Sequence, residues 1–150
     1  MALAGLRSVV RKSSTACEYG ELVLIRGILN PAINSLLSRV RHTNSFIVAD
    51  RGFPTFPNIE VVDISLVANM PRVPDVLNAL RQEFRFTAIM ASEFNEVSPP
   101  EVRKSYELAL EGAPITWEPH ARFKTRAPDV IGIIRTGDAT RFGNVHLTSA

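Results

Sequence analysis

The chain of 150 residues has a single cysteine, Cys17, one tryptophan and three histidines. A lone cysteine excludes an intramolecular disulfide and any zinc cage built on cysteines, and it fits a reducing cytoplasm. No apolar run approaches the roughly 18 residues needed for a membrane helix, so no membrane partner is expected. The sequence also lacks a Walker A loop, a Gly-x-Gly-x-x-Gly run, a His-Glu-x-x-His pair and a Gly-x-Ser-x-Gly elbow. Nucleotide, zinc-hydrolase and serine-hydrolase chemistry therefore lose their usual signatures, and neither a metal nor a cofactor is expected. No repeat or low-complexity linker stands out, and the length predicts a single domain.

What is present describes a globular domain: 45% hydrophobic and 21% charged residues and a mean hydropathy of +0.06. A pI near 9.0 invites a nucleic-acid reading. The surplus charge, however, lies in the first twenty residues, where Arg7, Arg11 and Lys12 face only Glu18. The rest of the chain balances, its arginines are scattered, and no clustered basic face is available to displace counterions from phosphates. Nucleic acid is not an expected partner. Residues 1–22 differ from the remainder in being acid-poor and arginine- and serine-bearing, and they read as an N-terminal extension to a domain at 23–150.

From Leu22 the punctuation is regular. Leu22–Ile25 reads as a short strand. Asn30-Pro31 supplies an N-cap with proline at N1, and Ile33, Leu36, Leu37 and Val40 follow at helical spacing. Phe46–Ala49 is a continuous apolar strand ending at Asp50. Ile59–Ile64 is extended; Val73, Val76, Leu77, Leu80 and Phe84 mark a helix; Phe86–Met90 marks a buried strand. Ser98-Pro-Pro-Glu101 has the form of a capping box and opens a helix through Leu110. Ile115–Trp117 is a strand, Pro119 starts a helical turn, and Val130–Ile134 and Asn144–Leu147 are closing strands. Helices alternating with short apolar strands predict an α/β protein, a three-layer α/β/α sandwich on a mostly parallel sheet.

Ligands in such sheets bind beyond the carboxyl ends of the strands, which singles out Asp50; the other reading is an aspartate capping its own turn. His42 lies at the opposite end of the same strand. That separation favours either separate roles or a site completed by a second chain. His42 also reads as a charge partner for the preceding helix. His120 follows Trp117 at a strand–helix junction. It can carry protons near neutral pH, with the indole supporting a sugar ring, or simply begin a helix. His146 shares a strand face with Asn144 and reads as structural. Arg135, Gly137 and Arg141 form a weak candidate anion cradle.

Three runs at the start of the domain, Gly27–Asn34, Arg41-His-Thr-Asn44 and Val48-Ala-Asp-Arg-Gly-Phe-Pro54, resemble the D-ribose pyranase and L-fucose mutarotase family. Ile134-Arg-Thr-Gly137 and Arg141-Phe-Gly-Asn-Val145 resemble its C-terminal signature. The similarity runs collinearly over about residues 24 to 148. It implies an α/β/α sandwich assembled into ring-shaped oligomers, commonly decamers, with active sites between adjacent subunits and a monosaccharide as substrate. On this resemblance His42 matches the catalytic histidine and Asp50 a sugar-binding aspartate. His120 matches a pocket histidine of the ribose branch, and Phe142, Gly143 and Asn144 match the C-terminal contact segment. Family members usually carry tyrosine where this chain has Phe142, while Pro100-Glu-Val102 and Tyr106 look more like the fucose branch.

The implied chemistry is light. A cyclic aldose opens when its anomeric hydroxyl loses a proton and its ring oxygen gains one; reclosure inverts the anomer or changes ring size. Proton carriers suffice, each typically worth about 10²–10⁴-fold. The alternative is a non-catalytic sugar-binding accessory to uptake, a reading that Phe142 favours.

Overall fold

The computed structural model describes residues 27–150; the strand expected at Leu22–Ile25 and the extension at 1–22 lie outside the described residues. Helices α1 (Pro31–Leu37), α2 (Val73–Glu83), α3 (Glu93–Val97), α4 (Pro100–Ala109) and α5 (His120–Thr125) alternate with six strands. These are β1 (Ser45–Ala49), β2 (Val61–Asp63), β3 (Phe86–Ala91), β4 (Ile115–Glu118), β5 (Ile133–Arg135) and β6 (Val145–Ser149). They form one sheet in the order β2-β5-β1-β6-β3-β4. Every strand runs the same way except β6, which is antiparallel to both of its neighbours, β1 and β3.

Period-two alternation divides β1 between two cores. Phe46 and Val48 join α1, α2 and α4 residues such as Leu36, Leu77, Leu80 and Tyr106 on one face. Ile47 and Ala49 meet Phe123 of α5, Ala127 and Val130 on the other. The result is the expected three-layer arrangement, with the sheet mixed through β6 alone.

Local signals explain the element ends. Asn30 accepts from the backbone N–H groups of Ala32 and Ile33, so α1 begins as its Asn-Pro pair predicts. It stops at Leu37, before Val40, which the helical spacing included and which still packs into the core from the exit. Ser98 does not cap α4. Pro99 occupies the N-cap with no side-chain hydrogen bond, and the Ser98 hydroxyl is buried without a partner among the described residues. The box fails because α4 begins at Pro100, which puts the N-cap at Pro99, one residue later than the pattern implied, although Ser98 is extended as well. Ladder pairing in β5 begins only at Ile133; before it, Val130 ends a 3₁₀ turn over Ala127–Asp129.

Candidate functional site

The carboxyl edge of the parallel strands carries a small cleft. β1 releases Asp50 there, β4 releases His120 at the start of α5, and the antiparallel β6 brings Asn144 to the same edge as it enters the sheet. Asp50, Phe53, His120, Lys124, Phe142 and Asn144 line the cleft, with Arg141 at its rim, around a volume of about 220 Å³.

Asp50 and Asn144 are locked together. The Asp50 backbone N–H donates to Asn144 Oδ1, and Asn144 Nδ2 donates to Asp50 Oδ2, both at 2.8 Å. The second Asp50 oxygen accepts from Gly52 N–H at 2.7 Å, which folds the turn after β1. The carboxylate is therefore oriented by both the sheet and the turn, and is only partly buried. Asp50 both caps its turn and faces the cleft.

His120 meets the edge of the Phe142 ring, with centroids 4.8 Å apart, and lies nearly parallel to Phe123 at 6.4 Å. Its Nδ1 is enclosed without a partner among the described residues, so proton exchange with a bound molecule falls to Nε2. Burial, and then the Lys124 ammonium one turn along α5, push the imidazole below its ordinary pKa. The neutral ring is favoured, a proton acceptor at neutral pH. Phe142 has φ +59, an uncommon backbone for a side chain of its bulk, and Arg141 lies 5.3 Å from its ring centroid.

Gly143 does not line the cleft. Its carbonyl accepts from the Tyr106 hydroxyl at 3.0 Å, and a Cβ at this position would come within 2.3 Å of that oxygen. The same hydroxyl lies 3.2 Å from Oδ2 of Asp138. Burial, then the Asp138 charge, drive the phenol far above its usual range, so Tyr106 stays a hydrogen-bond donor. Gly143 thus contributes by letting α4 clamp the backbone between Phe142 and Asn144.

His42 is elsewhere. It sits on the exposed turn before β1, at the opposite edge of the sheet. Asn44 Oδ1 accepts from Arg41 N–H, and Thr43 N–H donates to the Ser149 carbonyl at the far end of β6. The five residues of β1 alone span about 16 Å, so His42 and Asp50 of one chain do not share a cleft.

Two other expectations are corrected. Trp117 points to the face of β4 opposite Glu118; it stacks on Phe94 at 6.3 Å and does not line the cleft. Arg135 is engaged with Asp63, the Phe53 carbonyl and Thr55, and the Gly137 N–H donates to Pro71, so these two form no anion cradle with Arg141. His146 is buried and feels the charges of the Glu118–Arg126 ion pair.

Lys124 and Glu93 are the neighbours of His120 that sequence reading missed. Lys124 is four residues after His120 on one helix, a spacing that would have marked it. Glu93 carries no such signal; only the β3–β4 register brings it to His120.

Comparisons with known proteins agree with this geometry. The model of the RbsD / FucU transport protein family matches residues 23–150. The chain is 36% identical to the D-ribose pyranase of Geobacillus kaustophilus over 124 residues, which is 82% of this chain and 90% of that protein. It is 34% identical to that of Chromobacterium violaceum, over 82% of this chain and 94% of that one. Among solved structures, Bacillus subtilis RbsD complexed with D-ribose superposes with a TM-score of 0.78 at 29% identity, covering 85% of this chain and 98% of that one. The fucose mutarotase of Streptococcus pneumoniae in complex with L-fucose shares the fold, with a TM-score of 0.68 at 17% identity over 81% and 92% of the two chains.

Proposed function

The chain belongs to the RbsD / FucU family, and from that premise we propose that it is a sugar isomerase that opens and recloses the hemiacetal ring of an aldose. The observation that carries the reading is the cleft in which Asp50, Asn144, His120 and Phe142 converge. Pockets for drug-sized ligands run to about 300–1,000 Å³; this one, smaller and mixing carboxylate, amide, imidazole and phenyl groups, suits a single sugar ring. Asp50, fixed by Asn144, accepts hydrogen bonds from sugar hydroxyls, and the Phe142 ring covers an apolar C–H face.

Ring opening needs one proton taken from the anomeric hydroxyl and one given to the ring oxygen. His42 is the proposed acid–base residue, by its match to the family's catalytic position. Because it stands at the far edge of its own sheet, it serves the cleft of an adjacent subunit, and the working form is a homo-oligomer with shared sites. His120 Nε2 binds the sugar from within the subunit. Proton transfer completes the reaction, and the proposed mechanism uses neither metal nor nucleotide.

Among sugars, the ribose class is favoured: the pyranase relatives are the more similar in sequence, and a histidine stands at 120. The test is line-broadening or saturation-transfer NMR on a panel including D-ribose and L-fucose, with a chelator present. Accelerated exchange between ring forms supports the proposal. Binding without exchange favours a non-catalytic sugar-binding protein, the reading that the missing hydroxyl at Phe142 supports.

A further inference from the structure

The amino end of α5 has an unusual cap. Pro119, at the N-cap, offers no side-chain acceptor, so the His120 N–H at the first helical position has no local partner. Glu93 supplies one from another element: the N–H lies 3.0 Å from both carboxylate oxygens. The reach is set by the sheet. Ala91 pairs with Glu118 in the β3–β4 ladder, and Ser92 N–H donates to the Glu118 carbonyl at 2.8 Å, so the residues leaving the two strands emerge side by side. The Ser92 hydroxyl, 3.3 Å from Oε2, steadies the same carboxylate.

From this contact we propose that Glu93 is the positioning residue of the sugar site, fixing where His120 stands in the cleft. The proposal rests on the sugar-isomerase reading. Glu93 does not line the cleft and is not a catalytic residue; it acts through His120.

Two effects follow from one carboxylate. The first is geometric: an N-terminal N–H held by a fixed acceptor sets the first turn of α5, and with it the imidazole against Phe142. The second is electrostatic. Charged groups face His120 from several elements: Glu93 from α3, Asp50 after β1, Lys124 on α5 itself, and Arg141 before β6 at the cleft rim. Burial and Lys124 disfavour the imidazolium; Glu93 and then Asp50 favour it. Glu93 offsets what burial imposes, and its own carboxyl is held below the ordinary range by backbone N–H donors, its own and that of His120. It therefore stays charged across neutral pH.

Two variants separate the effects. In Glu93→Gln the side-chain carbonyl still accepts from His120 N–H, so only the charge is lost; in Glu93→Ala both are lost. Two readouts apply: the His120 imidazole titration followed by NMR, and the sugar-concentration dependence of ring-form exchange. In Glu93→Gln the His120 pKa should fall with KM little changed. In Glu93→Ala the pKa should fall and KM should rise by about 3–30-fold, the range of losing one hydrogen bond that fixes a binding group. Circular dichroism checks folding, and the Gln variant keeps the test open if the Ala variant fails to fold. Wild-type pKa in both variants, with unchanged KM in any that folds, overturns the proposal. If the wild-type chain exchanges no sugar, the isomerase reading falls, while the His120 titration still decides the role of Glu93.

Discussion

Asp50 and Asn144 exchange two hydrogen bonds of 2.8 Å across 94 residues of chain, one through the backbone and one through the side chain of Asp50. The pair joins the exit of β1 to the entrance of β6 and orients the one carboxylate that both caps a turn and faces the cleft. Removing one partner leaves a backbone N–H and a carboxylate oxygen short of a partner, which typically costs about 1–3 kcal/mol.

Asn144→Ala should therefore lower the unfolding free energy by about 1–3 kcal/mol and weaken sugar binding. Urea unfolding and a sugar titration check both; an unchanged midpoint would mean that water replaces the amide at no cost.

His42 and Asp50 stand at opposite edges of one subunit, so a site that uses both needs two chains. His42→Ala and Asp50→Ala should each lower ring exchange, His42→Ala by about 10²–10⁴-fold. After the two inactive variants are mixed, unfolded and refolded together, activity should return, because some interfaces then pair an intact His42 with an intact Asp50. A mixture as inactive as its components would place His42 outside the chemistry or confine each site to one chain.

Acid should weaken the fold. Burial, and then the Arg126 charge, push His146 below its ordinary pKa. Burial, followed by Lys124, does the same to His120. The unfolded chain takes up protons near pH 6.5 that the folded chain resists. The stabilisation is thus complete above that pH and is lost as pH falls toward the folded-state values. Glu118, held below the carboxylate range chiefly by its hydrogen bonds to Arg126, adds a second loss at lower pH. Denaturant midpoints should fall between about pH 7 and pH 5.5, and the fall should be smaller in His146→Gln. Equal slopes for the two proteins would remove His146 from the account.

Phe142→Tyr tests what the missing hydroxyl means. The backbone already holds an aromatic residue at φ +59, so the ring should fit, and exchange should be unchanged or faster. Were exchange to drop by about tenfold or more, a change worth about 1.4 kcal/mol in the barrier, Phe142 would be a requirement of this cleft.

Much of the scaffold was readable from pattern. Phe46–Ala49 announces β1, Val73 to Phe84 announces α2, and Asn30-Pro31 marks the start of α1, because each rests on contacts within a few residues. The misreadings have a shared physical cause. Whether Ser98 caps α4 depends on where the helix starts, and it starts at Pro100, one residue too late for Ser98. Whether Trp117 accompanies His120 depends on strand parity, since neighbours along β4 point to opposite faces. The site was legible as separate residues, Asp50, His120 and Asn144, at the ends of strands. Their convergence was legible only through the family resemblance, because it depends on β6 running against its neighbours, which leaves no local signal. Glu93 left no trace, since its partner lies 27 residues away across the β3–β4 ladder.

That reversed strand also ties the two halves of the sheet together. In the sheet order β2-β5-β1-β6-β3-β4, the five-residue β6 is, among the described residues, the one strand that joins a three-stranded ladder to a two-stranded one. Without β6, Asp50 and His120 would follow strands of separate ladders, linked across the sheet face only by packing such as Phe53 on Phe123. The cleft is thereby built on a keystone: side-chain packing alone can bring its two banks near each other, but only the reversed strand fixes their spacing and carries Asn144 between them.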